Sequence, residues 1–261
     1  TGATVNTQHN AAVAGPATLA APKDAIPAIA PGASPAGSFP LDVLGIAPIP
    51  IGDEDILNFN VPGYLFGGKT YGKVGVDSNG YLIINGGTGN ADNSPTPQTL
   101  PDPTPPNGVL APYWTDLDGT GAPGIRVATL TDGVDTWLVV QWNVNLFGTT
   151  DARSMQVWIG LNGVEDISYS YEPTTTLGVG TPTDYGLTVG AENVTGGAGA
   201  QITGPPTGDY VVTTTPGQPG GSFSYTLNVR ATKQGQQTLT TSMLTNVVNG
   251  VTTIRTPILV N

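Results

Sequence analysis

The chain has 261 residues with 37 Gly, 24 Pro, no Cys and one His, and its 8 Lys and Arg stand against 19 Asp and Glu for a net charge of −11. This size and composition suit one large or two small domains of strands and turns, with little room for long helices. The charge excludes the phosphate neutralisation that nucleic-acid binding needs and any polybasic attraction to anionic lipid, and the missing thiols and imidazoles exclude cysteine catalysis, disulfides, Cys-ligated zinc and multi-histidine metal sites. No apolar run approaches the ~18 residues of a helical membrane span, and Thr1-Gly2-Ala3 opens no signal pattern. The chain is therefore expected to be a soluble, processed or excised piece, and its acidic, Thr-rich, Lys-poor composition fits secretion outside the cell.

Residues 1–38 are rich in Ala and Pro (Pro16, Pro22, Pro27, Pro31, Pro35), a spacing that forbids helix and favours an extended leader lying along a neighbouring domain. From Phe39 to Thr215, short runs rich in Val, Ile, Thr and aromatics recur between turn signals, the pattern of an all-β sandwich. Strands are expected at 56–61, 69–76, 80–85, 109–114, 124–131, 136–144, 153–160, 164–171, 186–191 and 209–214. The Gly-, Asn- and Pro-rich stretch 86–106 reads as one long loop of the kind that is functional or mobile. A break at Pro216-Gly217-Gln218-Pro219-Gly220-Gly221 starts a smaller β module over 216–261, with strands at 222–230, 237–242, 244–249 and 251–260 and a turn at Asn249-Gly250. So few residues make a poor free-standing sandwich, so the module is expected to borrow strands, and the leader is the candidate donor.

Two hairpins can be registered from side-chain alternation. A four-residue turn at Asp132-Gly133-Val134-Asp135 sets Ile125, Val127 and Thr129 opposite Trp142, Val140 and Leu138 on an apolar face. The other face, with Arg126 across from Gln141 and Leu130 beside Trp137, is expected to be half solvated. For 153–160 and 164–171, a three-residue loop Leu161-Asn162-Gly163 with a left-handed Gly163 pairs Met155 with Tyr169 and Val157 with Ile167.

A serine hydrolase needs a base, and the only imidazole, His9, sits in the leader; Thr241-Ser242-Met243 lacks the glycine that precedes a subtilisin-type nucleophile and reads as strand. No catalytic residue is assigned. Glycosidase chemistry needs only two carboxylates, for which Glu54, Asp116, Asp118, Glu165 and Asp166 are candidates, but no spacing singles out a pair. Most acids are Asp beside Gly or Asn, where they close turns. Asp116-Leu117-Asp118-Gly119 could place two hard oxygens on one turn, so Asp116 and Asp118 are candidate ligands of a structural calcium, although the third position and distal Glu of an EF-hand loop are missing. No cofactor is required. Tyr113, Trp114, Trp158, Tyr169 and Tyr171 could form a stacking platform. The registers bury Tyr169 and Tyr171 and leave Trp158 the best exposed candidate for a ligand, with Tyr113 and Trp114 next.

The run Val76-Asp77-Ser78-Asn79-Gly80-Tyr81-Leu82-Ile83, then Leu110-Ala111-Pro112-Tyr113-Trp114-Thr115-Asp116-Leu117-Asp118, Trp137-Leu138-Val139-Val140-Gln141-Trp142 and Met155-Gln156-Val157-Trp158-Ile159-Gly160, resembles the nidogen-like extracellular domain. The wider stretch from Phe39-Pro40-Leu41-Asp42 through Pro48-Ile49-Pro50-Ile51-Gly52-Asp53-Glu54 to Tyr171-Glu172 is similar to the non-catalytic C-terminal region of secreted bacterial subtilisin-like serine peptidases. The tail from Tyr225 to Val260 is similar to the immunoglobulin- or fibronectin-like modules that adjoin such regions. These resemblances imply a β-sandwich followed by a small immunoglobulin-like module, serving as a structural or substrate-engaging accessory to an upstream catalytic domain of the same polypeptide. An extracellular protein or polysaccharide is the implied substrate. The alternatives are a stand-alone adhesive or carbohydrate-binding module, and a glycoside-active enzyme, which would need two carboxylates facing one cleft.

Overall fold

The computed structural model describes residues 25–172, 186–215, 235–245 and 250–260. Strands make up nearly all of its regular structure: β1 (Ile26–Pro31), β2 (Ile56–Phe66), β3 (Lys69–Asp77), β4 (Tyr81–Ile84), β5 (Val109–Trp114), β6 (Gly124–Thr131), β7 (Thr136–Asn145), β8 (Ala152–Gly160), β9 (Ile167–Tyr171), β10 (Thr188–Glu192), β11 (Gly199–Gln201), β12 (Tyr210–Thr215), β13 (Gly235–Thr245) and β14 (Gly250–Val260). A single 3-10 turn covers Leu41–Leu44. The chain divides into two compact units, one spanning Pro22–Gln218 and the other containing the β13–β14 pair.

The larger unit is an antiparallel sandwich. One sheet runs β1-β12-β9-β8-β7-β6 and the other β11-β10-β5-β4-β3-β2. Alternation along the strands sends Ile125, Leu138, Val140, Trp142, Met155, Val157, Tyr169 and Tyr171 from the first sheet against Tyr64, Val74, Val76, Leu82, Leu110 and Tyr113 from the second, all buried in one cluster. Three aromatic side chains carry their polar ends across this core: Trp142 Nε1 donates to the Asp77 carbonyl, Tyr169 Oη to that of Gly190 and Tyr171 Oη to that of Pro112, each at 2.8 Å. Burying each ring with a bonded tip keeps its apolar area without leaving a donor unpaired.

The β6–β7 register is the expected one, Ile125↔Trp142, Val127↔Val140 and Thr129↔Leu138. The β8–β9 register differs. Met155 pairs with Tyr171 and Val157 with Tyr169, two residues from expectation, because the connection runs over 161–166 instead of closing after Gly163. Gly163 is left-handed (φ 77°), but the loop is fastened outward: the Leu161 N–H donates to Thr136 O, and Asn162 bonds both Thr136 and Asp135. A shift of two preserves the faces, so Met155, Val157, Tyr169 and Tyr171 still point into the core. β2 runs past its expected end at 61 to Phe66, with an irregularity between Asn60 and Tyr64 where Pro62 and Gly63 interrupt the pairing.

Within the leader, β1 pairs antiparallel with β12 along its whole length, Ile26↔Thr215 to Pro31↔Tyr210, and extends the first sheet. Residues 1–24, including His9, lie outside the described residues, as does the expected strand 222–230. In the tail, β13 runs without a break from Gly235 to Thr245, through the expected boundary between 237–242 and 244–249, and pairs with β14 from Gly250 onward, while the expected turn residue Asn249 lies outside the described residues. Thr241-Ser242-Met243 lies within β13, opposite 252–254.

The expected half-solvated face is covered. Residues 39–46 lie over the outer side of β7 and β8, where Leu41, Trp137, Val139 and Trp158 form a second buried cluster flanked by Phe39, Ile46 and Leu130. Two glutamines fasten this cover: Gln141 Oε1 accepts the Leu41 N–H at 2.9 Å, and Gln156 accepts from Phe39 N at 3.0 Å while its amide donates back to Phe39 O. Arg126 Nε donates to Ile46 O. The second sheet has its own cover in the 86–107 stretch, whose Leu100 packs with Tyr81, Ile83, Val109, Ala111 and Trp114. Trp114 Nε1 donates to Ser94 O, Tyr81 Oη to Asp92 O, and Thr188 Oγ1 to Gln98 O, so much of this long loop is built into the fold.

Gln156 is the pin of the first cover, because it also accepts from Trp158 Nε1 at 3.1 Å. Gln156→Ala is expected to cost about 2 kcal/mol, by leaving the Phe39 N–H and carbonyl unpaired and Trp158 Nε1 with only its bond to Ser170 Oγ, and to make tryptophan fluorescence more accessible to acrylamide. Quenching identical to that of the wild type would mean that Gln156 is not what fastens residues 39–46, the bonds of Gln141 and Arg126 and the apolar contacts being enough.

Candidate functional site

The three aromatics expected to meet a ligand are out of solvent. Trp158 is 2% exposed beneath residues 39–46, and Tyr113 and Trp114 are fully buried. Pairing of β10 with β5 shifts register between Thr188 and Gly190, which gives β5 an extra residue and turns Tyr113 into the central core and Trp114 to the outer cluster. Tyr113 thus lies between the two sheets, and Trp114 lies beneath the stretch that carries Leu100. A cavity lined by Ala25, Phe66, Gly67, Lys69, Tyr71, Asn193 and Val194 holds about 20 Å³, room for one water.

The candidate acids separate into two places. Glu165 and Asp166 hold strands together: Glu165 accepts from Gly67 N at 2.6 Å and from Thr214 N at 2.9 Å, and Asp166 accepts from Trp137 Nε1 at 2.9 Å. Glu54, Asp116 and Asp118 lie instead at one end of the sandwich, on turns that the Asp/Asn-Gly sequences dictate. Asp77-Ser78-Asn79-Gly80 reverses β3 into β4, Asp116–Gly119 follows β5, and Asp53–Asp55 precedes β2. Gly80 has φ 83° and its α-carbon lies against the Tyr113 carbonyl, so only glycine fits this turn.

Asn79 is the hub of this end. Its Nδ2 donates to Glu54 Oε2 at 2.9 Å, its Oδ1 accepts the Leu117 N–H at 3.0 Å, and its own N–H donates to Asp77 Oδ1 at 2.9 Å. Ser78 and Asp55 exchange two further bonds, Ser78 N to Asp55 O and Asp55 N to Ser78 Oγ. Gly119 packs directly on the Gly52 carbonyl and donates to Asp53 Oδ1. The three turns therefore form one body.

The electrostatics of that body are one-sided. Burial, then the charge of Asp118, raises the Asp53 carboxyl above its ordinary range; burial and then Asp53 does the same to Asp116; and burial, then Asp116 and Asp53, raises Glu54 against the lowering bond from Asn79. Asp77, fully buried, is raised well above its ordinary value, chiefly by burial. Two carboxylate oxygens here, Asp77 Oδ2 and Asp116 Oδ1, are closed off from solvent and accept no hydrogen bond. Of the Asp116–Asp118 pair read from sequence, Asp118 Oδ1 is occupied by Thr120, N–H at 3.0 Å and Oγ1 at 2.6 Å, while Asp116 faces the charges of Asp53 and Glu54. Among the described residues no three acidic or histidine side chains converge closely enough to hold a metal by themselves.

A second buried acid stands elsewhere. Glu192, at the end of β10, has no exposed surface; its Oε2 accepts the Asp102 N–H at 3.0 Å and its Oε1 has no partner. Burial pushes its carboxyl up to about 7, against the lowering bond from Asp102 N. The sequon-like Asn193-Val194-Thr195 is inside the fold, with Asn193 Nδ2 donating to Ala25 O and its Oδ1 accepting from Thr195 and Gly197.

Sequence reasoning missed Asp53, Asp77 and Asn79 as members of the acidic end. The signal was present in three Asp-containing turns that follow or precede strands now seen as neighbours, but their convergence depends on the order β5-β4-β3-β2. Among the described residues no helix is long and apolar enough to cross a membrane, which bears on helices only. No curated protein and no solved structure matches the chain. One family model, described as NIDO related, matches residues 53–241, from the acidic turn before β2 into β13. The chain belongs to the nidogen-related (NIDO related) family.

Proposed function

We propose that the chain is a non-catalytic extracellular module, structural or substrate-engaging, and that it is the accessory region of a secreted subtilisin-like serine peptidase whose catalytic domain lies upstream in the same polypeptide. The observation that carries the reading is membership of the NIDO related family on a sandwich whose two outer faces are covered over their central strands by its own loops. Nidogen-related domains are typically extracellular. A body whose central strands are covered on both faces buries its large aromatics without a bound partner, which suits spacing or aiming a neighbour. The peptidase parent is supported by the likeness of the 39–54 stretch, and residues 39–46 of that stretch are what closes the first sheet.

The test compares the full-length gene product with a version lacking these residues, on a soluble protein and on an insoluble fibrous or cell-wall preparation. Loss on both substrates supports an accessory that stabilises the enzyme. Loss confined to the insoluble substrate supports one that engages it. Unchanged hydrolysis of both overturns the accessory role, and a full-length product that cleaves neither overturns the peptidase parent.

A further inference from the structure

We propose that the end of the sandwich where residues 53–55, 77–79 and 115–119 meet binds a calcium ion, with the Asp116 and Asp53 carboxylates as its charged ligands. Three independent features meet there. The first is the unpartnered Asp116 Oδ1: Asp116 is only 5% exposed, and this oxygen, closed off from solvent, accepts nothing from the protein. A buried carboxylate oxygen without a donor costs stability unless a cation or proton meets it.

The second is the identity of its neighbours. The charges that act on Asp53, Glu54, Asp77 and Asp116 are those of Asp53, Glu54, Asp116 and Asp118 themselves, so the group carries repulsion with no cation among the neighbours that act on it. The third is the backbone. Gly119 has no side chain, and its place is against the Gly52 and Asp53 carbonyls and the Ser78 side chain, so the 115–119 and 52–55 turns close on one another with carbonyl oxygens at their contact.

Because no three acids among the described residues converge on one point, the ion takes two side-chain carboxylates and completes its six to eight oxygens from carbonyls and water. Calcium accepts such an irregular, carbonyl-rich shell, whereas magnesium demands near-ideal octahedral geometry. Asp53 is half-buried and Glu54 exposed, which leaves an entry path for the ion. Asn79, fixed at both ends of its amide by Glu54 and Leu117, holds the two turns at constant separation.

The test uses the full chain, stripped with EDTA and titrated with CaCl2 by calorimetry, with thermal melts at neutral pH. Binding and a rise in Tm of roughly 5–10 °C are expected at calcium a hundredfold above Kd. Asp116→Asn and, as a partly exposed second site, Asp53→Asn should each weaken calcium binding at least tenfold. Without calcium, Asp116→Asn should melt at or above the wild type, since it removes repulsion, and with calcium it should melt below, so the order reverses. A wild-type melt indifferent to millimolar calcium overturns the proposal. So does a calcium shift that both variants retain in full, which would place the ion elsewhere.

Discussion

Replacing Trp142 with alanine is expected to cost about 5 kcal/mol of the sandwich's stability, enough to unfold a marginal domain. The residue sits on β7 between Ile125 and Met155, with no exposed surface. Deleting the indole removes its packing against both sheets and leaves the Asp77 carbonyl without the donor it has at 2.8 Å. Trp142→Phe separates the two losses: it keeps most of the ring and drops the N–H, and is expected to cost about 1–2 kcal/mol. Urea unfolding followed by far-UV circular dichroism gives both values. Equal losses would mean that the bond to Asp77, and not the packing, ties the sheets together here. The same carbonyl belongs to the residue that opens the acidic turn, so the Phe variant should also weaken whatever that end binds.

The second large effect depends on pH and comes from Glu192. Its folded carboxyl titrates near 7 against 4.5 when unfolded. The folded state therefore holds a proton that the unfolded state has released. Stability from this group is complete below pH 4.5, falls as pH rises from 4.5 to about 7, and is constant above. The difference corresponds to about 2 kcal/mol once screening by nearby solvent is allowed for. Asp102, whose carboxylate is held low by its bonds to Thr104, stays negative through this window and adds to the cost of ionising Glu192. Glu192→Gln still has an oxygen for the Asp102 N–H and cannot ionise. Its urea midpoint should match the wild type near pH 4 and exceed it at pH 8, and amide exchange at Asp102 should lose its pH dependence beyond the intrinsic rate. Parallel stability curves for the two proteins would show that Glu192 releases its proton at an ordinary pH. The raised acids at the other end push the wild-type curve in the same direction, which is why the variant-minus-wild-type difference is the quantity to follow.

What was legible in the sequence was local. Alternation in 124–131 and 136–144 sufficed to register that hairpin because its turn closes on itself, with Asp132 bonding the Val134 and Asp135 N–H groups. The β8–β9 register was not legible, since its loop is held by Thr136, Thr214 and Gly67, residues far away in the chain. Trp158 was misread for a related reason. Alternation tells which side of a strand a residue occupies but not whether that side is covered. A clue was available: Trp137, Val139 and Trp158 share the supposedly wet face of two central strands, too apolar a set to leave in water. The apolar residues of 39–51 were the matching half. The acidic end was half visible, because Asp116 sits in a recognisable turn while its partner Asp53 comes from another strand connection altogether.

The pairing of β1 with β12 has a mechanical consequence. Ile26, where the chain enters the sandwich, is the direct partner of Thr215, where it leaves. A force pulling those two points apart acts across the ladder at its open end and loads one rung at a time. Such a pair peels like a zipper, at far lower force than strands drawn past each other in shear. The sandwich is thus arranged to yield early and gradually under tension, surrendering its edge strand first, while the cross-sheet bonds of Trp142, Tyr169 and Tyr171 stay unloaded until that strand has gone.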